Sequence, residues 1–170
     1  MNQSKALAIL KSGRNVFLTG SAGAGKTYVL NQYINYLKEH KIGVAITAST
    51  GIAATHMNGM TIHSWAGIGI KDQISINQMT KLKEKKFFRD KMENVKVLVI
   101  DEISMLHRNQ IDLVNQVLKF FKENEMAFGG IQVVFSGDFF QLPPIGNEEE
   151  SSRQKFAFMS DAWLQAEPVI

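Results

Sequence analysis

The feature that most restricts what this chain can fold into lies between residues 15 and 27, where the apolar stretch NVFLT passes directly into GSAGAGKT. The second string satisfies G-x-x-x-x-G-K-[ST] in full. It is followed by Val29, Leu30, Tyr33, Ile34 and Leu37, which recur at three- and four-residue steps as on one face of a helix. Strand, glycine-rich turn and helix in that order make a loop whose N–H groups surround phosphate oxygens, with the positive end of the helix aimed at the same charge. Gly20, Gly23 and Gly25 permit the tight turn, Lys26 reaches the β- and γ-phosphates, and Thr27 offers a hydroxyl to Mg²⁺. Gly20, Ser21, Ala22, Gly23, Ala24, Gly25, Lys26, Thr27 and Tyr28 are therefore the candidate site for a nucleoside triphosphate, with ATP expected. A glycine-rich turn before a helix is the purely structural alternative.

Three more apolar runs, GVAIT (43–47), VKVLVI (95–100) and IQVVFS (131–136), are nearly continuous, which marks strands buried on both faces. Between the last two, Ile111, Val114, Leu118 and Phe121 keep a helical period. Alternating strands and helices predict an α/β fold, a mainly parallel β-sheet with helices on both faces and ligands at the carboxyl ends of the strands. One stretch departs from this plan. Residues 77–93 crowd Lys81, Lys83, Lys85, Lys86, Arg89 and Lys91 into a polar helical segment that reads as an exposed insertion or connection.

Two strand ends carry the remaining chemistry. After the run from Val95, Asp101 suits the magnesium shell, and Glu102 suits a general base that orients and deprotonates water. In GDFFQLPP, Asp138 and Gln141 follow the next strand, and the Gln141 amide can contact both a γ-phosphate oxygen and the attacking water. An exposed acidic pair and a polar turn closed by Pro143 and Pro144 are the bland readings of the same residues.

At 170 residues and 45% apolar, the chain is expected to form one domain over residues 1–170. Its 19 Lys plus Arg against 16 Asp plus Glu permit an anionic partner without requiring one. With no cysteine, disulfides and thiolate metal sites are excluded. His40, His56, His63 and His107 lack metal-ligand spacing, and no nucleophile elbow appears; Ser104, beside the acidic pair, reads as a hydrogen-bonding support. The opening residues MNQSKALAIL lack a secretory signal, and no run nears the roughly 20 apolar residues that span a bilayer. The expectation is an intracellular protein without a membrane segment.

Taken together, GSAGAGKT, TASTGIAA, TIHSWAGI, VIDEISM, GDFFQLPP and SDAW resemble, in order and wording, the PIF-type DNA helicases, relatives of RecD within helicase superfamily one. The likeness runs from residue 3 to residue 163. It implies a RecA-like P-loop NTPase domain, the first of two in an ATP- and Mg²⁺-dependent motor. Such a motor moves 5′ to 3′ on single-stranded DNA and separates duplex or fork DNA, with roles in DNA repair, recombination and telomere maintenance. By position, Gln3 resembles the glutamine that reads the adenine edge, and Thr47, Ser49, Thr50, Gly51, His63 and Ser64 form the strand-contacting set. From the residues alone, 47–54 and 61–67 look like loops of small and hydroxylated residues, suited to phosphates rather than bases. Trp65 or Phe139 would stack on a base, unless each belongs to the core, and His63 has the same buried alternative.

The resemblance also implies a second RecA-like domain, which would supply arginines to the γ-phosphate. Arg153 beside the acidic run 148–150 is a poor substitute. Because an arginine finger contributes about 10³ to 10⁵ in rate, residues 1–170 alone are expected to hydrolyse ATP very slowly and not to unwind DNA. A monomer is expected, cytoplasmic in a bacterium and nuclear or mitochondrial in a eukaryote. Two other classes share the phosphate loop: a small phosphoryl transferase, in which GDFFQLPP and TIHSWAGI have no place, and a nucleotide-gated DNA- or protein-binding module without turnover.

Overall fold

A computed structural model of the chain describes residues 2–20, 25–71, 73–138 and 156–170. Five strands, β1 (Val16–Thr19), β2 (Val44–Ala48), β3 (Met60–Thr61), β4 (Val97–Asp101) and β5 (Gln132–Gly137), form one sheet in the order β1-β5-β4-β2-β3. Every neighbouring pair is parallel. The central strands are buried on both sides because their side chains alternate between two cores. Val97 and Val99 of β4 pack with helices α1 (Gln3–Lys11) and α2 (Lys26–Glu39), against Leu10, Leu30, Ile34 and Leu37. Leu98 and Ile100 face the opposite side, where α7 (Arg108–Lys122) buries Ile111, Val114, Val117 and Leu118.

The first core holds one buried polar cluster. Gln132 opens β5; its Nε2 donates to the carbonyls of Leu10 (3.0 Å) and Arg14 (2.7 Å), and its Oε1 accepts from the Tyr33 hydroxyl. Burial pushes the Tyr33 pKa up. The cluster satisfies a buried amide while tying the end of α1 and the middle of α2 to the sheet.

Between β2 and β4 the chain makes α3 (Gly51–His56), α4 (Ile62–Ala66), α5 (Ile76–Glu84) and α6 (Lys86–Asn94). The basic stretch 77–93 is not an exposed connection. Met79, Phe88 and Met92 enter the second core, and the lysines and Arg89 line the remaining faces of the two helices. Lys91 itself is drawn inward. Its ammonium donates to the Trp65 carbonyl and sits 4.3 Å from the centre of the Phe88 ring; burial lowers its pKa. Trp65 is only 3% exposed, which removes it as a stacking platform and leaves it as core.

The last described segment completes the fold. Ser160 caps α8 (Asp161–Ala166), and Trp163 stacks on Phe135 at 4.3 Å and meets Phe17 edge-on at 5.1 Å. The chain then returns alongside β1: the Val169 N–H donates to the Asn15 carbonyl (2.8 Å), and the Phe17 N–H donates to Val169 (2.7 Å). Among the described residues, no helix is long and apolar enough to cross a membrane.

Candidate nucleotide site and strand track

Parallel pairing brings the carboxyl ends of the strands to one edge. Thr19 is in register with Gly137, Ile100 with Phe135, and Ala48 with both Asp101 and Thr61. Gly20, Glu102, Ser49 and Asp138 therefore emerge on the same side. The end of β1 is two strand spacings, about 10 Å, from the end of β4.

At β1, Gly25 caps α2 with φ 86° and ψ 16°, a left-handed conformation that a Cβ would strain. A Cβ there would also collide with the Gln3 amide, so α1 begins directly against the loop. Lys26 starts α2, and its ammonium donates to the Gly20 carbonyl, closing the two ends of the phosphate loop on each other. Thr27 is exposed beside it. Tyr28 is 58% exposed, and its hydroxyl accepts from Gln32 (3.1 Å). No acidic residue occupies the first turn of α2, so the positive end of that helix is not offset locally. Ser21, Ala22, Gly23 and Ala24 lie outside the described residues.

A cleft of about 210 Å³ opens between α1, β1 and the start of α2. Gln3, Gly25 and Lys26 line it together with Ala6, Ile9, Leu18, Val169 and Ile170. Mostly apolar walls, with the amides of Asn2 and Gln3 among the few polar groups, suit a flat heterocyclic base better than a sugar or a second phosphate. Val169 and Ile170 were not legible as site residues in the sequence. A single bridge to Val16 holds this end, and a single bridge has no periodicity to read.

At β4, the Asp101 carboxylate accepts from the Glu102 N–H (2.9 Å). Glu102 has φ 53° and ψ 44°, left-handed backbone that costs a non-glycine residue roughly 1 kcal/mol or more. Neighbours hold it there. The Ser49 hydroxyl donates to the Glu102 carbonyl (2.7 Å), the Ser49 N–H donates to the Asp101 carbonyl (3.1 Å), and Gly137 lies so close that a Cβ on it would be 3.0 Å from the Ile103 nitrogen. Ser104 is fully buried, and its hydroxyl makes no hydrogen bond among the described residues, so it is not the support that its place in the sequence suggested.

Thr27 and Asp101 fit a small hard cation: a hydroxyl and a carboxylate are the few protein ligands that Mg²⁺ accepts when phosphate and water fill its shell. No group of three or more His, Cys, Asp or Glu among the described residues would bind a metal by itself. Gln141, Phe139 and Arg153 lie outside the described residues; Asp138, just before them, is half-buried at the end of β5.

The candidate strand contacts occupy the next two strand ends. Thr50 caps α3 by accepting from the Ala53 N–H (3.3 Å), and Gly51 is exposed at its first turn. Thr61 caps α4 in the same way through the Ser64 N–H (3.3 Å), and Ser64 is exposed. Sequence reading missed both helices, of six and five residues, because neither is long enough to show a period; the threonine caps were the available signal. Two of the expected contacts differ from the rest. Thr47 is fully buried, its hydroxyl donating to the Val99 carbonyl (2.7 Å), so it braces β2 against β4 rather than facing outward. His63 is half-buried, with a ring nitrogen 2.7 Å from the Gln110 amide, and Gln110 in turn caps α7 through the His107 N–H (2.9 Å). Burial pushes the His63 pKa below its ordinary value, against the opposing effect of the Gln110 hydrogen bond.

An all-parallel sheet with helices on both faces, a lysine–threonine helix start after β1 and an acidic pair at the end of β4 define a RecA-like α/β domain of the P-loop class. The chain belongs to the PIF1-like helicase family, whose model matches residues 2–170. It is similar to the ATP-dependent DNA helicase Pif1 of Psychrobacter sp. (strain PRwf-1), with 63% identity over 98% of this chain and 25% of that protein. The ATP-dependent DNA helicase RRM3 of Saccharomyces cerevisiae is 43% identical over 91% of the chain and 22% of its own length. Among solved structures, Pif1 helicase from Candida albicans superposes with a TM-score of 0.88 at 41% identity, covering 96% of this chain and 37% of that one. Pif1 helicase from Bacteroides in complex with ADP-AlF3 and single-stranded DNA does so with a TM-score of 0.81 at 30% identity, covering 96% and 39%. The chain thus spans about a quarter of the length of the curated relatives it matches.

Proposed function

We propose that residues 1–170 are the amino-terminal RecA-like motor domain of an ATP-dependent, 5′-to-3′ DNA helicase. The observation that carries this reading is the shared edge of the sheet: phosphate loop, acidic pair and hydroxyl-rich strand ends emerge side by side, in register. Family membership supports the same assignment, as do relatives named ATP-dependent DNA helicases and neighbours solved with ADP-AlF4 and with single-stranded DNA, beside one that addresses DNA unwinding at forked duplex DNA.

In this reading the base lies in the cleft beside Gln3, and residues 20–28 hold the phosphates, with Lys26 at the β and γ positions. Thr27 and Asp101 hold Mg²⁺, which offsets phosphate charge when bound. Glu102 accepts the proton of the attacking water, and Gln141 senses the γ-phosphate. Thr50, Gly51 and Ser64 contact the strand backbone, which suits a motor indifferent to sequence because hydroxyls and N–H groups meet phosphates without selecting bases. A second RecA-like domain of the full-length protein completes the γ-phosphate cage and the DNA track, and the protein acts inside the cell as a monomer.

The test is the ATPase rate of the full-length protein with and without single-stranded DNA. Glu102→Gln is expected to keep binding a fluorescent ATP analogue with Mg²⁺ while hydrolysis falls 100-fold or more, roughly the contribution of a general base. Lys26→Ala is expected to lose the analogue as well. An unmutated protein whose ATPase ignores single-stranded DNA would overturn the motor assignment.

A further inference from the structure

Ser49 joins the strand track to the catalytic pair. Its hydroxyl donates to the Glu102 carbonyl at 2.7 Å, and its N–H donates to the Asp101 carbonyl at 3.1 Å, across 53 residues of sequence in the first case. The next two residues in the chain are Thr50, which caps α3, and Gly51, exposed at its first turn. Any load on that turn is therefore one peptide away from one of the bonds that hold Glu102.

What makes this bond consequential is the backbone it restrains. Glu102 is in the left-handed region at φ 53°, a conformation that a glutamate leaves unless its surroundings impose it. From β5, Gly137 approaches this turn so closely that a Cβ on it would lie 3.0 Å from the Ile103 nitrogen. From β2, the restraint is the Ser49 hydroxyl. A hydroxyl has one proton to give. A shift of the 49–51 turn would lengthen that bond and leave the Glu102 carbonyl to the Met105 N–H alone, at 3.2 Å. Thr47, two residues earlier, is fixed to Val99 inside the sheet, and Ser49 is itself held through its N–H to Asp101, so the turn that begins α3 follows directly on the sheet.

Resting on the helicase reading above, we propose that Ser49 is a positioning residue that couples occupancy of the strand track at Thr50 and Gly51 to the placement of the general base Glu102. The coupling is expressed in the ratio of ATPase kcat with DNA to that without it, rather than in affinity for either ligand.

The experiment uses the full-length protein, Mg-ATP and a single-stranded oligothymidylate at saturating concentration. Ser49→Ala is expected to lower that ratio by roughly three- to tenfold, the weight of one hydrogen bond. KM for ATP and the half-saturating DNA concentration are expected to stay within about twofold. Ser49→Thr keeps the hydroxyl and is expected to restore the ratio. An unchanged ratio in Ser49→Ala, whether both rates hold or both fall by one factor, overturns the proposal. A weakened half-saturating DNA concentration with the ratio intact also overturns it, because Ser49 is then an ordinary DNA contact. Absence of DNA stimulation in the unmutated protein sinks the helicase reading itself, an outcome separable from these.

Discussion

The Gln3 amide packs against Gly25 so closely that the first turn of α1 and the capping residue of α2 share one contact at the mouth of the phosphate loop. Gly25 also needs its left-handed φ of 86° to start α2 where it does. Gly25→Ala is therefore expected to cost on the order of 1 to 2 kcal/mol in folding, from the backbone strain alone, and to displace Gln3. Urea unfolding and titration with a fluorescent ATP analogue check both parts. Undiminished binding would show that the contact has no bearing on the nucleotide.

Gln3 offers one of the few polar groups of a mainly apolar cleft. Replacing it with Ala is expected to erode a preference for ATP over GTP by roughly three- to tenfold while leaving triphosphate binding in place, since the loss is that of one hydrogen bond. Competition between the two nucleotides for the labelled analogue measures it; an unaltered ratio would remove Gln3 from base recognition.

His63 links α4 to α7 through Gln110. Its pKa in the folded protein is held down by burial, so below the ordinary value near 6.5 the unfolded chain takes up a proton that the native state resists. Its effect on stability is fully favourable above that pH and declines as pH falls from there toward the lowered pKa. His63→Gln has nothing to titrate, so its Tm is expected to fall less over that window than that of the unmutated protein. Parallel melting curves at matched salt would expose the error if the two profiles coincide.

Removing the Tyr33 hydroxyl leaves the Gln132 Oε1 without the partner that buries it. Tyr33→Phe is expected to cost about 1 to 3 kcal/mol in equilibrium urea unfolding, the penalty of an unmatched buried acceptor, with little effect on nucleotide affinity. A neutral substitution would mean that water takes the vacated place.

The four long strands were readable because Val97, Leu98, Val99 and Ile100 are apolar on both faces, a signature that needs no partner to interpret. β3, with two residues, carried no such signature and exists only because β2 offers it an edge. The stretch 77–93 was misread for the opposite reason: its lysines dominate composition, while Met79, Phe88 and Met92 are few and decide the packing. In the site, Lys26 and Thr27 were legible because they are adjacent in sequence, as were Asp101 and Glu102. The contacts that join Ser49 to Glu102 and Val169 to Phe17 were not, since each spans a distance in sequence that only the sheet closes.

Local chemistry was determined by the sequence itself. A glycine-rich loop between strand and helix, an acidic pair at a strand end and the strings shared with PIF-type helicases need only neighbouring residues, because turn geometry and side-chain type are properties of short segments. What the tertiary structure decided is which of these segments meet and which side chains remain free to act. Parallel register set the end of β1 two strand spacings, about 10 Å, from the end of β4. Burial withdrew Thr47 and Trp65 from the surface, and a single serine proton was committed to the backbone of the proposed base. Those outcomes depend on long-range packing, where the energy of a contact exists only after distant parts of the chain have been brought together.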